Sequence, residues 1–403
     1  MKAIITPGPL GGSVRAVPSK SHAHRLLICA ALSKNESRII CPASSMDIEA
    51  TANCLRALGA EIDYTDGVYT VKPIKRPVEM AELDCGESGS TLRFMLPVVC
   101  ALGCGARIKM CGRLPERPLS PLWEELERCG AELSRPERDI IEVRGRLWEN
   151  CFSIAANISS QFISGLLFGL AIMRGGEIEL LGEIESAPYI EMTIQALIDF
   201  GAHIELEGTV LRISTPGLRS KGDMTVEGDW SNGAFWMAAG MLSGGKVQCT
   251  GLDMTSAQGD AAVMEAAETI MRGNAEIDAR DIPDLVPVLA VLGSVSPGST
   301  RFFNAGRLRL KESDRIKSVV DMINALGGMA EETEDGIIIR RVSMLRGGKV
   351  DSRGDHRIAM SAAVAAIASL GEVVVEGAEC VAKSYPGFWD DYAALGGRLK
   401  LEE

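Results

Sequence analysis

The sequence has no excess of positive charge, because its 42 Lys and Arg residues are outnumbered by 54 Asp and Glu residues. The net charge of -12 argues against a nucleic acid or an anionic membrane surface as a partner. Because the net charge of the chain is negative, a local cluster of cations is not explained by the overall composition. We therefore expect such clusters to serve the binding of small anions.

The sequence also lacks the motifs that identify many cofactor and metal enzymes. It contains neither a Gly-x-Gly-x-x-Gly fingerprint after a strand nor a Gly-x-x-x-x-Gly-Lys-Ser/Thr loop, so dinucleotide binding and nucleoside triphosphate hydrolysis are not indicated. No two of the eleven cysteines form a Cys-x-x-Cys pair, and the four histidines lack the spacing of zinc ligands. We expect no cofactor and no metal.

No segment is typical of a membrane span or a secretory signal. The longest uncharged run, residues 150–173, contains Asn, Gln and several Ser residues, which favours a loop followed by a buried helix. The first residues lack the apolar region of a secretory signal. Together with the dispersed cysteines, this predicts a cytoplasmic protein with reduced thiols, and we expect it to be a monomer.

A repeat of about 70 residues runs through the chain. In each copy a glycine ends an amphipathic pattern and is followed by alternating apolar and polar residues. These glycines are Gly59, Gly130, Gly201, Gly273, Gly327 and Gly396. The pattern is typical of a helix that stops at a left-handed glycine and leads into a strand. Since 403 residues favour two domains, we predict six α/β units, three in each domain.

Several predicted helices consist almost entirely of small and apolar residues. Residues 358–368 (IAMSAAVAAIA) carry no charge, and a helix that is apolar on every face is a buried helix. Helices walled by sheets would satisfy this requirement, whereas a doubly wound sheet would expose one face of each helix. The breaker-rich residues 214–222 lie between the third and fourth units, and we place a domain boundary shortly after them.

Seven short motifs combine cations or hydroxyl groups with other small or polar residues. They are residues 20–25 (KSHAHR), 86–93 (GESGSTLR), 116–118 (ERP), 159–161 (SSQ), 311–315 (KESDR), 355–357 (DHR) and 383–384 (KS). Positive charge, hydroxyl groups and accessible backbone N–H groups together suit phosphate and carboxylate groups. The motifs predict an enzyme for small, multiply anionic substrates.

Three of these motifs lie where a helix is predicted to begin. Lys20 and Ser21 precede the apolar residues 26–32, residues 86–93 lead into a helix with Arg93 one turn in, and residues 159–161 open a third. Free N–H groups and the helix dipole favour an anion at such a place. Simple N-capping by serine is the competing interpretation of each motif alone. Matching positions in successive repeats favour anion binding.

The second half of the chain adds a candidate base and two more cations. Asp284 is a lone carboxylate in an apolar segment, where burial would raise its pKa and suit it to proton transfer, although N-capping competes as an explanation. Lys311 and Arg315 are four residues apart, which predicts one shared helix face with Asp314 beside them. A solvated charge run is the alternative.

Taken together, these residues resemble the 5-enolpyruvylshikimate-3-phosphate synthase family, the 3-phosphoshikimate 1-carboxyvinyltransferases of the shikimate pathway. The resemblance covers essentially the whole chain, and residues 186–190 (SAPYI) and 282–284 (IPD) add to it. It implies an α/β fold of two domains, an inside-out α/β barrel with six repeated units, buried helices and outer sheets. The implied domains are residues 1–18 with 227–403, and residues 19–226, with the active site in the cleft between them.

The resemblance also implies two overlapping sets of substrate-binding residues. Those implied for shikimate 3-phosphate are Lys20, Ser21, Arg25, Ser159, Ser160, Gln161, Ser186, Asp284 and Lys311. Those implied for phosphoenolpyruvate are Lys20, Gly89, Arg117, Gln161, Arg315, Arg357 and Lys383. Glyphosate is the competitive inhibitor of the family at the Gly89 turn.

The implied reaction is attack of the shikimate 5-hydroxyl on C2 of phosphoenolpyruvate while C3 is protonated, followed by loss of phosphate from the tetrahedral adduct, on the way to chorismate. Asp284 would accept the hydroxyl proton, and Glu312 and Lys20 would transfer protons. Lys383 and Arg117 would offset charge on the departing phosphate.

Two other functions stay open at this point. A related enolpyruvyl transferase acts on UDP-N-acetylglucosamine with a loop cysteine, and Cys111 lies near the corresponding loop here. Residues 20–21, 159–161 and 311–315 favour the shikimate enzyme instead. A non-catalytic anion-binding protein would keep the cations, but it would gain nothing from carboxylates such as Asp284 and Glu312.

Overall fold

The computed structural model describes residues 1–403, and the chain divides into two compact units. One unit consists of Met1–Val17 and Glu227–Glu403, and the other of Pro18–Val226. No helix has both the length and the apolar character needed to cross a membrane.

Helices and strands alternate along the whole chain. The helices are α1 Lys20–Ala31, α2 Met46–Ala57, α3 Gly89–Leu102, α4 Leu122–Arg128, α5 Ser160–Met173, α6 Ala187–Asp199, α7 Trp230–Leu242, α8 Val263–Arg272, α9 Val286–Val295, α10 Arg315–Ala325, α11 His356–Ala365 and α12 Phe388–Ala394. The strands are β1 Lys2–Thr6, β2 Gly12–Arg15, β3 Ser37–Ile40, β4 Glu61–Thr65, β5 Val68–Lys72, β6 Met80–Asp84, β7 Gly105–Lys109, β8 Ala131–Glu137, β9 Ile140–Gly145, β10 Cys151–Ala155, β11 Gly175–Leu181, β12 His203–Glu207, β13 Val210–Ser214, β14 Asp223–Thr225, β15 Val247–Thr250, β16 Ala275–Asp278, β17 Ser299–Phe303, β18 Met329–Glu332, β19 Ile337–Arg340, β20 Gly348–Asp351, β21 Val373–Glu376 and β22 Arg398–Glu402.

The strands form three separate sheets in each unit. The orders in the unit Pro18–Val226 are β14-β3-β5-β4, β6-β7-β9-β8 and β10-β11-β13-β12. The orders in the other unit are β20-β21-β1-β22, β16-β17-β19-β18 and the pair β15-β2. These sheets do not close into a barrel. The first strand, β1, lies antiparallel between β21 and β22, so the start and the end of the chain share one sheet.

The helix–glycine–strand repeat predicted from the sequence is confirmed at all six glycines. Gly59, for example, follows α2 with a φ of 109° and precedes β4, a conformation that an L side chain rarely adopts. Two of the six strands, β16 after Gly273 and β18 after Gly327, are the two edges of one sheet. The sequence interval between these two glycines is shorter because only β16 lies between Gly273 and α9, whereas three strands precede the next helix after Gly59, Gly130, Gly201 and Gly327.

The core of each unit is made of helices that are apolar on nearly every face. Every residue of α11 is buried, as the composition of residues 358–368 predicts. Helices α3 and α5 pack closely, because a Cβ at Gly165 would overlap the carbonyl oxygen of Arg93. A loop precedes the buried helix α5, as predicted, but it is confined to residues 156–159, and residues 151–155 form strand β10 beside β11. These residues have few charges because one face of the strand is buried.

Candidate active site

Helix α1 begins at Lys20, at the place the sequence predicts. Ser19 caps the helix, because its hydroxyl oxygen accepts a hydrogen bond from the backbone N–H of His22 at 3.3 Å. The ammonium of Lys20 lies 2.8 Å from a carboxylate oxygen of Asp47 on α2, and both side chains are largely buried. At the start of α1, N-capping by Ser19 therefore occurs together with a lysine whose charge is paired with Asp47.

Arg25 is held one turn further along α1 by groups from α6. Its Nε donates to the Thr193 hydroxyl at 2.7 Å, and its two terminal nitrogens donate to the carbonyls of Ser21 at 2.7 Å and Tyr189 at 2.6 Å. Its guanidinium also lies 5.3 Å from the centre of the Phe94 ring. Burial lowers the pKa of Arg25 to about 10, so the group stays charged at neutral pH.

Helix α3 begins at Gly89 after the N-cap Ser88, and its first turn touches two arginines. A Cβ at residue 89 would lie 2.5 Å from Nη1 of Arg117 and 2.8 Å from Nη1 of Arg93. Only glycine therefore leaves both guanidinium groups where they are. The backbone of this turn therefore lies beside two positively charged groups.

Gln161, at the start of α5, contacts the first turn of α3. The guanidinium of Arg93 donates to Oε1 of Gln161 at 2.9 Å, and Nε2 of Gln161 donates to the Ser90 hydroxyl at 2.8 Å. Ser159 and Ser160 at the N-terminus of α5 are buried, and so is Ser186, which precedes α6 with a φ of 56°. We call Lys20, Arg25, Arg93 and Arg117 the first cationic group.

Asp284 stands just before α9 in the other unit and is surrounded by cations. Its carboxylate oxygens lie 2.6 Å from Arg315, 2.9 Å from Arg357 and 3.7 Å from Lys311. Lys383 belongs to the same unit, and its ammonium donates to the carbonyl of Gly354 at 2.7 Å. We call Lys311, Arg315, Arg357 and Lys383 the second cationic group.

Arg315 is the most enclosed member of the second cationic group, with 1% of its side chain exposed. Besides Asp284, it contacts Glu312 at 2.6 Å and Asp355 at 2.8 Å. Asp355 is fully buried, accepts from the Ser313 hydroxyl at 3.0 Å and caps α11 by accepting from the backbone N–H of Arg357 at 3.0 Å. One carboxylate thus orients the side chain of Arg315 and the helix that carries Arg357.

The expectation of a raised pKa for Asp284 was wrong. Burial by itself would raise that pKa, but the charges of Arg357, Lys311 and Arg315 outweigh burial and hold the pKa well below its usual range. Burial lowers the pKa of Lys311 to about 8, although the charge of Asp284 opposes this shift. Asp284 is therefore ionised and a weak base while these cations surround it.

The prediction of one helix face for Lys311 and Arg315 was also wrong. Lys311 follows a 3-10 helix, residues 306–310, and α10 begins only at Arg315, with Asp314 as its N-cap. The two cations still meet at the same oxygen, Oδ1 of Asp284, because the turn between them folds back. A spacing of four residues does not distinguish a helix from such a turn.

Several residues that hold the site were not assigned from the sequence. Asp47, Tyr189 and Thr193 position Lys20 and Arg25, and Asp355 positions Arg315. Asp260 is another buried carboxyl group, and burial raises its pKa to about 6 while Asp284 adds to the shift. Asp355 could have been found, since an Asp before a helix is typical of an N-cap. Tyr189 lies in the motif 186–190, but it acts through its backbone carbonyl, which the residue type does not indicate. Asp47, Thr193 and Asp260 belong to distant segments and carry no local signal.

Known proteins resemble this chain over nearly its whole length. The family model described as EPSP synthase (3-phosphoshikimate 1-carboxyvinyltransferase) matches residues 4–392. A 3-phosphoshikimate 1-carboxyvinyltransferase of Clostridium perfringens is 40% identical over 100% of both chains. One of Clostridium acetobutylicum is 39% identical over 98% of this chain and 97% of its own.

Solved structures show the same fold. An EPSP synthase from Acinetobacter baumannii has a TM-score of 0.81 at 22% identity and covers 99% of this chain and 100% of its own. The enolpyruvyl transferase NikO from Streptomyces tendae has a TM-score of 0.78 at 19% identity and covers 99% of this chain and 98% of its own. The expected fold class is confirmed by these likenesses, with sheets that stay separate.

Proposed function

The chain belongs to the family of EPSP synthases, the 3-phosphoshikimate 1-carboxyvinyltransferases, and we propose that the two cationic groups described above carry out this family's reaction. The enzyme transfers the enolpyruvyl group of phosphoenolpyruvate to the 5-hydroxyl of shikimate 3-phosphate and releases phosphate. The observation that supports the proposal best is Asp284, a carboxylate ringed by Arg315, Arg357 and Lys311.

We propose that the substrates divide the site as the family pattern implies. Shikimate 3-phosphate is bound by Lys20, Ser21, Arg25, Ser159, Ser160, Gln161, Ser186, Asp284 and Lys311. Phosphoenolpyruvate is bound by Lys20, Gly89, Arg117, Gln161, Arg315, Arg357 and Lys383. The close approach of the Gly89 backbone to Arg117 and Arg93 supports an anion at that turn. The planar guanidinium of an arginine also matches both phosphate and carboxylate oxygens.

In this proposal Asp284 takes the proton of the 5-hydroxyl as the oxygen bonds to C2 of phosphoenolpyruvate. Glu312 and Lys20 transfer the proton that C3 gains and then gives up. Arg117 and Lys383 offset the charge on the phosphate as its bond to C2 breaks. Asp284 is a weak base while it is paired with Arg315 and Arg357. Binding of phosphoenolpyruvate gives these arginines other anionic partners, which raises the basicity of Asp284 when the reaction needs it.

The assignment is tested by phosphate release with phosphoenolpyruvate and one of two acceptors. We expect phosphate release with shikimate 3-phosphate and none with UDP-N-acetylglucosamine, because Arg25 and Gln161 suit a small phosphorylated ring. Turnover of the UDP-sugar alone would contradict the assignment. Binding of both shikimate substrates without turnover would favour the non-catalytic alternative.

We also propose that the two compact units are the two domains and that the protein acts as a monomer in the cytoplasm. All eleven cysteines are free thiols, which fits a reducing compartment.

The pKa of Lys311, about 8, predicts a loss of affinity for shikimate 3-phosphate in mildly alkaline solution. Lys311 loses its charge as the pH rises through about 8, so kcat/KM for shikimate 3-phosphate should fall there. In Lys311→Arg the guanidinium keeps its charge, and this alkaline fall should disappear. Initial rates between about pH 6.5 and about pH 9.5 measure the difference.

The stability of the protein should change in the opposite direction. The ordinary pKa of lysine, 10.5, applies to the unfolded chain, which therefore binds more protons than the folded chain between pH 8 and 10.5. The contribution of Lys311 to the free energy of unfolding rises over this range.

The matched control for the kinetic prediction is Lys317→Arg, at an exposed position of α10, which should keep the alkaline fall of kcat/KM. An identical fall in Lys311→Arg would show that another group titrates.

A further inference from the structure

A chain of hydrogen bonds crosses the apolar core beneath the first cationic group. Nδ1 of His24 lies 2.7 Å from the Thr51 hydroxyl, which lies 2.7 Å from the Thr91 hydroxyl. Thr91 in turn donates to the hydroxyl oxygen of Ser88 at 2.8 Å. These residues belong to α1, α2 and α3, and the chain ends at the N-cap of α3, next to Gly89.

The whole chain is buried. His24, Thr51 and Thr91 are fully buried, and Ser88 is 1% exposed. The rings of His24 and Phe94 pack in a T-shaped arrangement, with 6.4 Å between the ring centres. Polar groups in such surroundings destabilise the fold unless each finds its partner. The chain therefore constrains how the three helices sit against one another.

The direction of the protons follows from the end of the chain. Ser88 accepts from both the hydroxyl and the backbone N–H of Thr91. The hydroxyl proton of Thr91 is thereby used, so Thr51 donates to Thr91, and His24 donates to Thr51 through Nδ1–H. Burial, together with the charges of Lys20 and Arg25, holds the pKa of His24 well below its usual range, and Nε2 has no hydrogen-bond partner. His24 is therefore a neutral ring with its proton on Nδ1.

We propose that His24, Thr51 and Thr91 are positioning residues that set the place of the Ser88–Gly89 turn and thereby the affinity for phosphoenolpyruvate. The turn lies against the guanidinium groups of Arg117 and Arg93 with no room for one extra carbon atom. A small displacement of the turn therefore moves groups that face the substrate. This inference rests on the proposed function only in naming phosphoenolpyruvate as the anion.

The central hydroxyl can be removed with little change of shape. Thr51→Val leaves the His24 Nδ1–H without an acceptor and removes the hydrogen bond that Thr51 donates to Thr91, while Thr91 can still donate to Ser88. Thr51→Ser keeps all three hydrogen bonds. We expect Thr51→Val to raise KM for phosphoenolpyruvate and Ki for glyphosate about tenfold, with KM for shikimate 3-phosphate within about twofold of the wild type. Thr51→Ser should restore wild-type values.

A buried hydroxyl in the other compact unit provides the matched control. Ser294 in α9 is fully buried and donates only to the carbonyl of Val291 at 2.7 Å. Ser294→Ala should lower the melting temperature without changing either KM. If Thr51→Val also changes only the melting temperature, or raises both KM values equally, the positioning role is wrong.

The state of His24 is tested without any assay of activity. In protein labelled with ¹⁵N-histidine, the wild-type His24 ring should show a proton on Nδ1 and stay neutral from about pH 5 to about pH 8. Loss of the signal in His24→Gln assigns it. A proton on Nε2, or titration near an ordinary histidine pKa, would overturn the proposed chain. This measurement does not use Thr51→Val, so it tests the hydrogen-bond chain even if that variant does not fold.

The two tests also separate this proposal from the proposed function. If the enzyme turned over no phosphoenolpyruvate at all, the proposed function would fail while the histidine spectrum still reported on the chain. If turnover is normal but Thr51→Val leaves the affinity for phosphoenolpyruvate unchanged, the positioning role fails and the function stands.

Discussion

Replacement of Asp284 by Asn should lower kcat by about 10²- to 10⁴-fold, the range typical for loss of a general acid–base group. The amide keeps the size of the side chain but cannot take the proton of the 5-hydroxyl. Binding of shikimate 3-phosphate should be at least as tight as in the wild type, because one negative charge facing the anion is removed. Steady-state rates and titration calorimetry with shikimate 3-phosphate measure the two effects separately.

A control at the surface separates this effect from a general loss of charge. Asp321 on α10 pairs with Lys317 and Arg353 on the exposed side of the helix, and Asp321→Asn should leave kcat unchanged. If Asp284→Asn also kept its kcat, Asp284 would serve only to hold Arg315 and Arg357 in place. Loss of substrate binding in Asp284→Asn would likewise point to a purely structural role.

Replacement of Arg315 by Gln should destabilise the protein by about 3–5 kcal/mol at neutral pH, because it leaves buried carboxylates without their common cation. Asp355 has no exposed surface, and Asp284 and Glu312 are at least four-fifths covered. Activity should be lost as well, since the guanidinium is assigned to phosphoenolpyruvate. Urea denaturation followed by circular dichroism measures the loss of stability.

The loss of stability should depend on pH in a defined direction. Arg315 is one of three cations that hold the pKa of Asp284 low, so this pKa rises without it, and the loss of stability relative to the wild type should become smaller as the pH falls. The matched control is Arg340→Gln, which removes a pair with Glu331 in which both side chains are more than half exposed. This variant should change stability far less than Arg315→Gln does, because solvent screens an exposed ion pair. An equally small change in Arg315→Gln would refute the role of Arg315 as the common cation.

The helix starts of the site could be predicted because their signals are local. Ser19 and Ser88 precede apolar segments, and their side chains cap α1 and α3. Ser159 also directly precedes an apolar helix, α5. The six glycines mark helix ends for an equally local reason, the positive φ at or directly after the last turn. Both signals depend on a few neighbouring residues, so a single sequence is sufficient to find them.

The protonation behaviour of Asp284 could not be predicted in the same way. Its own segment is apolar and indicates a raised pKa, whereas the observed direction is set by Arg315 and Arg357, which lie 31 and 73 positions away in the sequence. Which effect prevails depends on distances of 2.6 and 2.9 Å that only the packing of α9, α10 and α11 creates. The contact between Lys311 and Oδ1 of Asp284 also depends on this packing.

The sequence by itself thus determined the family, the order of helices and strands, and the residue types that we propose for the substrate site, because these depend on composition, spacing and local backbone preference. Only the tertiary structure decided which side chains meet. It joined Arg25 to Thr193, Arg93 to Gln161, and His24 to the Ser88 turn through Thr51 and Thr91. Hydrogen bonds and charge interactions act over a few ångströms, so their partners are set by the packing of distant helices rather than by the order of residues along the chain.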